Sequence, residues 1–349
     1  MPEDSINHIN FEKLNEKAIS APLVSHIYTA DPSAHVFNGR IYIYPSHDID
    51  SDVAFDDLGS QFAMEDYHVL SMDMPGSEVI DHGCALHIND VAWASKQMWA
   101  PDAAEKDGKY YLFFPAKNHE GIFQIGAATS DKPEGPFVAE INPIEGSFSI
   151  DPAVFKDGDG KYYMYFGGLW GGQLQRWRTG KFIAEGVGPL AHLPTGDENA
   201  LTPKVVLLSD DLLQFADEVK DVVILDENGK PLLARDNERR FFEAAWMHKY
   251  NGKYYFSYST GDTHFLCYAI GESPFGPFTY AGRILEPVVG WTSHHSIVEF
   301  GGKWYLFYHD SSLSQGITHL RSVKMTEIQY DENGKIITLE PYTEIKILD

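Results

Sequence analysis

Five stretches of the chain share one pattern, in which a small or apolar segment is followed by a glycine turn and then by an aromatic segment. They are "ADPSAHVFNGRIYIYPSHD" from Ala30, "APDAAEKDGKYYLFFPAKN" from Ala100, "IDPAVFKDGDGKYYMYFGG" from Ile150, "FEAAWMHKYNGKYYFSYST" from Phe242 and "SHHSIVEFGGKWYLFYHDS" from Ser293. Turns such as Asn38-Gly39 and Asn251-Gly252 supply the positive φ angles that tight hairpins require. Runs such as "KYYLFF" and "KWYLFY" are strongly β-prone. The pattern therefore predicts five β-hairpins, each opening one repeated unit.

The spacing of these hairpins favours a propeller. The shortest interval is about 50 residues, which suits a blade of four short strands, and longer intervals leave room for loops. No segment shows a sustained helical period with caps, so we expect no helix of consequence. We predict an all-β, five-bladed β-propeller, a single domain over residues 1–349, with blades starting near residues 28, 99, 149, 241 and 293. A long insertion is expected within about 171–240, together with the end of the third blade.

Composition narrows the class of partner. The formal net charge of −24 would repel nucleic acid and anionic membranes, so we expect neither as a partner. Aromatic residues make up 13% of the chain, which leaves flat rings available for stacking on sugars. The two cysteines, Cys84 and Cys267, have no metal-like or disulfide spacing, and we expect two buried thiols.

The amino-terminal sequence "MPEDSINHINFEKLNEK" lacks the pattern of a signal peptide. The chain also has no run of roughly 18 apolar residues that could cross a membrane. We expect a soluble protein whose compartment stays open: cytoplasmic, or secreted or periplasmic after removal of a signal.

Polar groups stand at equivalent places of the repeat. Because the innermost strands of a propeller surround one axis, residues at their starts should converge at one end of the channel. These residues are Asp31, Asp102, Asp151, Glu243 and the pair His294-His295. Each Asp taken alone is as readily a turn residue. A repeated set of carboxyl groups that converge is costly to desolvate, and this favours a ligand, an ion or catalysis.

Two of these carboxyl groups have contrasting neighbours. Glu243 lies within "RRFFEAAW", and an apolar environment raises the pKa of a carboxylic acid, which suits a general acid. Asp31 has polar neighbours and should stay ionised, which suits a base that activates water. The sequence therefore predicts an acid and base pair.

The five motifs, taken together and in order, resemble glycoside hydrolase family 43 over about residues 28–336. The resemblance implies a five-bladed propeller and an inverting hydrolase acting on arabinose- or xylose-containing oligo- or polysaccharides. It also implies that Asp31 is the general base, that Glu243 is the general acid, and that Asp151 orients the acid and adjusts its pKa. Inversion requires an acid and a base roughly 6.5–9.5 Å apart, which opposite sides of a channel could provide.

Further assignments follow from the same resemblance. A structural calcium ion in the channel is expected to have His294 or His295 as a ligand, and the chemistry itself is expected to need no cofactor. In "HLRSVKM", Arg321 corresponds to an arginine that donates hydrogen bonds to the terminal sugar. Trp99 corresponds to a wall of the sugar site, although it could equally be a core residue. Asp102 is expected to contact substrate.

Within the family the carboxyl-terminal motifs are most similar to those of α-L-arabinofuranosidases and β-xylosidases, which implies release of a terminal pentose from hemicellulose. An endo-α-1,5-L-arabinanase and a non-catalytic carbohydrate-binding propeller remain as alternatives. Sucrose- and fructan-acting propellers are set aside, because neither "ADPSA" nor "FEAAW" fits their motifs.

Overall fold

The computed structural model describes residues 9–186 and 188–345, which form five mainly antiparallel sheets and few helical turns. Blade one contains β1 (Tyr28–Phe37), β2 (Arg40–Asp48), β3 (Asp66–Met72) and β4 (Ile80–His87). Blade two contains β5 (Ala94–Lys96), β6 (Asp102–Lys106), β7 (Lys109–Asn118), β8 (Phe123–Ser130) and β9 (Val138–Ala139). Blade three contains β10 (Ala153–Lys156), β11 (Tyr162–Phe166), β12 (Lys204–Leu207) and β13 (Lys220–Asp221).

The two remaining blades follow along the chain. Blade four contains β15 (Glu243–Tyr250), β16 (Lys253–Ser259), β17 (Leu266–Gly271) and β18 (Phe278–Leu285), and the short β14 (Ile224–Leu225) pairs in parallel with β18. Blade five contains β19 (His295–Phe300), β20 (Lys303–Asp310) and β21 (Ser322–Ile328). The inner strands β1, β6, β10, β15 and β19 contact one another in that order, and β19 contacts β1 again. This closed ring confirms the predicted all-β, five-bladed propeller.

The hairpins arise from the predicted turns. In Asn38-Gly39 both residues have positive φ angles, 52° and 77°, and Asn251-Gly252 has 48° and 78°. Two consecutive positive values define the tight turn whose twist matches that of the flanking strands. The aromatic strands that follow supply the buried rings between blades, such as Tyr165 and Phe256, whose centroids are 5.7 Å apart.

The helical content differs slightly from the expectation of no helix of consequence. One short helix, α1 (Phe11–Lys17), is capped by the Asn10 side chain, which accepts a hydrogen bond from Lys13 N at 3.0 Å. Single 3-10 turns cover Ile88–Asp90, Trp170–Gly172, Leu174–Trp177 and Gly261–Thr263. Leu14 is the buried residue of α1. A seven-residue helix with one buried position cannot show a repeating apolar pattern in its sequence, so the pattern could not predict it. Across the described residues, none of the helices has the length and apolar character needed to cross a bilayer.

The first and last blades are joined by main-chain contacts. Leu23 N donates to Val323 O at 2.8 Å, and Thr29 N donates to Arg321 O at 2.9 Å. Pro22 forms an isolated antiparallel bridge with Lys324. The segment before β1 therefore lies along the free edge of β21 and closes the ring.

The segment between β11 and β15 contains the irregular loops expected around residues 171–240. Its first part, Leu169 to Gly172, lies at the mouth of the central channel. Its last part returns to blade three as β12 and β13, while β14 crosses to the edge of blade four. This long connection thus links two blades and covers part of one face.

Candidate active site

A pocket opens at the end of the channel where the inner strands begin. Five carboxyl residues line it: Asp31, Asp151 and Glu243, which come from three different blades, and Asp56 and Asp57 from the loop before β3. Its wall includes six aromatic residues, Phe55, Phe62, Trp99, Trp170, Phe242 and Trp291. Convergent carboxyl groups within flat apolar walls can bind a sugar ring and act on it as acid and base.

Local backbone geometry directs these side chains into the pocket. Asp31 has a φ of 49° and Asp151 a φ of 57°, both in the left-handed region. The pairing of β1 with β2 shifts register between Ala30 and Ser33, and Ala244, just after Glu243, has a φ of 63°. Bulges and positive φ angles outside glycine are strained, and they cluster where side chains must be re-aimed for function.

Asp31 is held as an ionised carboxylate. Its oxygens accept hydrogen bonds from Arg321 Nη1 at 2.9 Å, Arg321 Nη2 at 3.2 Å and Ser46 Oγ at 2.7 Å. Although burial by itself would raise the pKa of Asp31, the positive charge of Arg321, assisted by the nearby His294 and His309 imidazoles and by the Ser46 hydrogen bond, holds it at about 2. A carboxylate in this state can accept a proton from water.

His309 supports Asp31 through the main chain. Its Nδ1 accepts a hydrogen bond from Asp31 N at 2.9 Å, so the proton of the neutral ring lies on Nε2, which is 3.0 Å from Thr292 O. Burial lowers the pKa of His309 to about 4. The imidazole therefore stays neutral at ordinary pH and fixes the strained backbone of Asp31.

The guanidinium of Arg321 is fully occupied by protein partners. Nε donates to Asp48 Oδ2 at 2.8 Å, Nη2 donates to Asp48 Oδ1 at 2.8 Å, and Nη1 donates to Thr292 Oγ1 at 2.9 Å. With the two bonds to Asp31, all five N–H groups have acceptors. Arg321 lines the pocket over the ring of Phe62, with 4.8 Å from Cζ to the ring centroid. The geometry thus makes Arg321 the support of Asp31 and leaves no free N–H for a sugar.

Replacing Arg321 with methionine is expected to remove about 3–5 kcal/mol of folding free energy, because two buried carboxylates lose their common cation. Arg321→Lys keeps the charge but cannot form the paired contacts with both Asp31 and Asp48, and should lose activity while retaining more stability. Urea denaturation and kcat/KM would measure the two effects. A lysine variant with unchanged kcat/KM would contradict the claim that the guanidinium of Arg321 positions Asp31.

Glu243 has the opposite electrostatic environment. Burial raises the pKa of Glu243 to about 8, and the negative charge of Asp31 adds to the rise. Its neighbour Phe242 also lines the pocket and packs against Trp291, with ring centroids 5.8 Å apart. At neutral pH this carboxyl group is protonated and can donate a proton.

Asp151 lies between these two groups. Its Oδ2 accepts a hydrogen bond from Ala244 N at 2.9 Å, which fixes the backbone directly after Glu243. Burial and the charges of Glu243 and Asp31 raise the pKa of Asp151 well above its usual value. Asp151 can therefore position Glu243 and influence its proton affinity.

The two adjacent histidines point to different places. His294 lines the pocket, with Nδ1 3.6 Å from Asp31 Oδ1 and 3.9 Å from Asp151 Oδ2. His295 is buried between blades four and five, where its Nε2 is hydrogen-bonded to Ser257 Oγ of β16 at 2.6 Å. Strand alternation separates the pair, and His294 is the one that can contact a ligand in the channel.

Trp99 lies in the pocket, whereas Asp102 does not. Trp99 Nε1 donates to Phe62 O at 2.8 Å, and its ring packs 4.7 Å from that of Phe123. Asp102 is completely buried and is absent from the described lining of the pocket. Its Oδ1 is 2.6 Å from His35 Nε2, and its Oδ2 accepts a hydrogen bond from Val154 N. The structure therefore places Asp102 as a link among blades one, two and three, out of reach of a substrate.

Several supporting residues were not identified from the sequence. Ser46, Asp48, Thr292 and His309 all contact Asp31 or its partner Arg321. The sequence does contain a pattern that could have identified some of them, because the second strands of the first and fifth hairpins both end in His-Asp, in "YPSHD" and "LFYHD". Polar residues that end a strand of buried aromatics would have indicated the same end of the channel.

Comparison with known families is consistent with this geometry. A family model described as "Glycosyl hydrolases family 43" matches residues 82–186 and 196–336. "Xylosidase/arabinosidase 43A" of Humicola insolens is 65% identical over 326 residues, covering 92% of this chain and 99% of that protein. "Xylosidase/arabinosidase" of Bacteroides ovatus is 60% identical over 319 residues, covering 91% and 97%.

Solved structures show the same similarity. A family 43 β-xylosidase/α-arabinofuranosidase from a compost microbial metagenome, in complex with xylotriose and in a calcium-free form, superposes with a TM-score of 0.91. It is 63% identical, and the match covers 93% of this chain and 98% of that one. An enzyme from Xanthomonas citri complexed with xylotriose has a TM-score of 0.90 at 55% identity, covering 96% and 98%.

Proposed function

Because the chain belongs to glycosyl hydrolase family 43, we propose that the pocket is the active site of an inverting hydrolase that releases a terminal pentose from hemicellulose oligosaccharides. The pentose is β-D-xylose or α-L-arabinofuranose, the two sugars in the names of the similar enzymes. The observation that carries the proposal is the opposed protonation of Asp31 and Glu243 in one pocket. The described propeller would then serve as one catalytic domain.

The reaction would proceed in one displacement. Asp31 takes a proton from a water molecule while the water oxygen attacks the anomeric carbon. Glu243 gives its proton to the glycosidic oxygen as the bond between that oxygen and the anomeric carbon breaks. Asp31 ends protonated and Glu243 ends ionised, and exchange with solvent restores both groups. Attack from the face opposite the leaving group inverts the anomeric configuration.

The other pocket residues would prepare this step. Arg321 holds Asp31 ionised and aligned through two hydrogen bonds. Asp151 fixes the backbone of the residue after Glu243. Trp99 and the neighbouring aromatic rings provide flat surfaces for the sugar and exclude water from its faces.

The shape of the pocket supports action at a chain end. The loop before β3 and the loop after β11 meet at Leu58 and Gly171, where even one added Cβ on Gly171 would lie 2.2 Å from Leu58 O. Both residues line the pocket. An endo-acting arabinanase needs a cleft open at both ends, and this contact closes one side of the site.

For a calcium ion in the channel, the described residues that fit best are His294 and the nearby carboxylates. His294 Nδ1, Asp31 Oδ1 and Asp151 Oδ2 lie close together, and carboxylate oxygens are ligands that calcium prefers. His295 does not fit, because its side chain is hydrogen-bonded to Ser257 of blade four and is absent from the described lining of the pocket. When bound, such an ion would supply positive charge to a site rich in carboxylates.

The test is a panel of aryl β-D-xylosides, aryl α-L-arabinofuranosides, xylo-oligosaccharides and linear arabinan, followed by proton NMR at early times. We expect release of one pentose at a time, and α-xylose as the first product from a β-xyloside. First formation of the β-anomer would refute inversion. Random internal cleavage of arabinan would favour the endo-acting alternative, and binding without turnover of any substrate would favour a carbohydrate-binding propeller.

A further inference from the structure

A second group of ligating side chains lies in blade one, away from the pocket. His47 belongs to β2, and Asp66 and His68 belong to β3. One ligand atom from each lies within 4.8 Å of the others. The three side chains retain 18%, 15% and 14% exposure, so the cluster is recessed but open to small solutes. None of the three lines the pocket.

The sheet itself brings these residues together. The antiparallel register that pairs Ile41 with Met72 and Ile43 with Leu70 continues to place residue 47 opposite residue 66. His47 Nδ1 is accordingly 2.7 Å from Asp66 Oδ1. Residues 66 and 68 lie on the same face of β3 because side chains alternate along a strand.

One histidine already has the support typical of a metal ligand. His68 Nδ1 is 2.9 Å from Asp81 Oδ1, and a carboxylate accepts the proton there. Asp81 is itself held by Gly83 N at 2.8 Å and by His26 Nε2 at 2.7 Å. With its proton on Nδ1, His68 presents the lone pair of Nε2 toward Asp66 Oδ2, 3.6 Å away. A carboxylate behind a ligating imidazole fixes its tautomer and increases its basicity.

We propose that His47, Asp66 and His68 bind a divalent transition-metal ion of the zinc class. Two imidazoles and one carboxylate match this class, whereas calcium and magnesium prefer oxygen ligands alone. Zinc lies about 2.0–2.2 Å from such atoms, so the contact between His47 and Asp66 must open by roughly half an ångström to admit it. This opening requires movement of partly exposed side chains and no change in the backbone.

Charge and a neighbouring thiol support the assignment. With neutral imidazoles, Asp66 and Asp81 leave two negative charges, which a divalent ion neutralises. Cys84 is paired with His68 across β3 and β4 and is exposed, not buried as expected from the sequence, whereas Cys267 is buried as expected. The sulfur of Cys84 is therefore a candidate fourth ligand. Sulfur would favour zinc or cobalt over the oxygen-seeking ions.

The site would stabilise β2, a strand whose residues contact the base Asp31 and its partner Arg321. Ser46 and Asp48, on either side of His47 in β2, contact Asp31 and Arg321. An ion that joins β2 to β3 would act on the opposite face of that strand. It would contribute to structure and take no part in the hydrolytic step.

The experiment titrates cobalt(II) into the full chain after removal of metals with EDTA, by calorimetry and visible absorption. We expect one saturable site, at least 100-fold weaker binding in His47→Ala and His68→Ala, and 10- to 100-fold weaker binding in Asp81→Asn. His82→Gln removes an exposed imidazole of β4 outside the cluster and should bind as the unaltered protein does. Wild-type binding by both alanine variants, or no saturable site at all, would overturn the proposal.

Crystals of the unaltered protein soaked in zinc chloride give an answer that does not depend on folding of the variants. An anomalous peak enclosed by His47, Asp66 and His68 would support the site. The absence of that peak, or a peak only among the pocket carboxylates, would overturn it.

Discussion

Alanine in place of Asp31 is expected to lower kcat by roughly 10²- to 10⁴-fold on natural and activated substrates alike. The water must lose its proton whatever the leaving group, and the pKa of Asp31 is held at about 2, so that this carboxyl group is ionised at working pH. Steady-state kinetics on xylobiose and on a dinitrophenyl pentoside would measure the loss. A large loss confined to xylobiose would contradict the assignment of Asp31 as base.

Two variants separate chemistry from folding. Asp31→Asn keeps the shape of the side chain and can still accept the hydrogen bond from Ser46, yet it cannot act as a base, so it should be as inactive as the alanine variant. Asp90→Ala removes an exposed carboxylate and should leave activity unchanged. Small carboxylates such as formate should restore part of the turnover of Asp31→Ala by occupying the space of the missing side chain.

Glu243→Ala should produce a loss that depends on the leaving group. With xylobiose, whose leaving alcohol needs a proton, we expect roughly 10²- to 10⁴-fold lower kcat, but with a dinitrophenyl pentoside the loss should be small. In the unaltered enzyme kcat/KM should fall as pH rises through about 8, because ionisation of Glu243 above its pKa removes the proton it must give. That alkaline decline should be missing when Glu243→Ala acts on the activated substrate.

The matched control for this variant is Glu78→Ala, which removes an exposed carboxylate in blade one. It should keep both the wild-type rates and the alkaline decline. Equal losses on the two substrates would show that Glu243 is not the acid.

The sequence was informative where one local rule decides the outcome. Asn-Gly, Asp-Gly and Gly-Gly turns have few alternatives to tight hairpins, and five such turns at blade-like spacing indicate a propeller. The sequence does not predict where the side chain at the start of each hairpin points. Asp31 and Asp102 occupy the same place in the repeat, but Asp31 stands at a register shift whereas Asp102 pairs regularly with Phe113. The bulge turns one carboxylate into the pocket and leaves the other between blades, and no spacing rule reveals that difference.

Arg321 illustrates a second limit. The motif "HLRSVKM" places an arginine near the sugar, yet what that arginine contacts depends on Asp48, which is 273 residues away in the chain. A guanidinium has five donors, and its use is known only when all the acceptors around it are known. The resemblance therefore indicated the place of Arg321, while the geometry makes it the support of Asp31.

The same arginine also marks the seam at which the propeller closes. It belongs to the edge of blade five, and both carboxylates that it joins belong to blade one. Thr29 N donates a hydrogen bond to the carbonyl oxygen of Arg321, so both the backbone and the side chain of this arginine bind blade one at this junction. Catalysis in this protein thus requires that blade five stay packed against blade one. If these two blades separate at the seam, Asp31 loses the positive charge of Arg321 even though each blade keeps its own sheet.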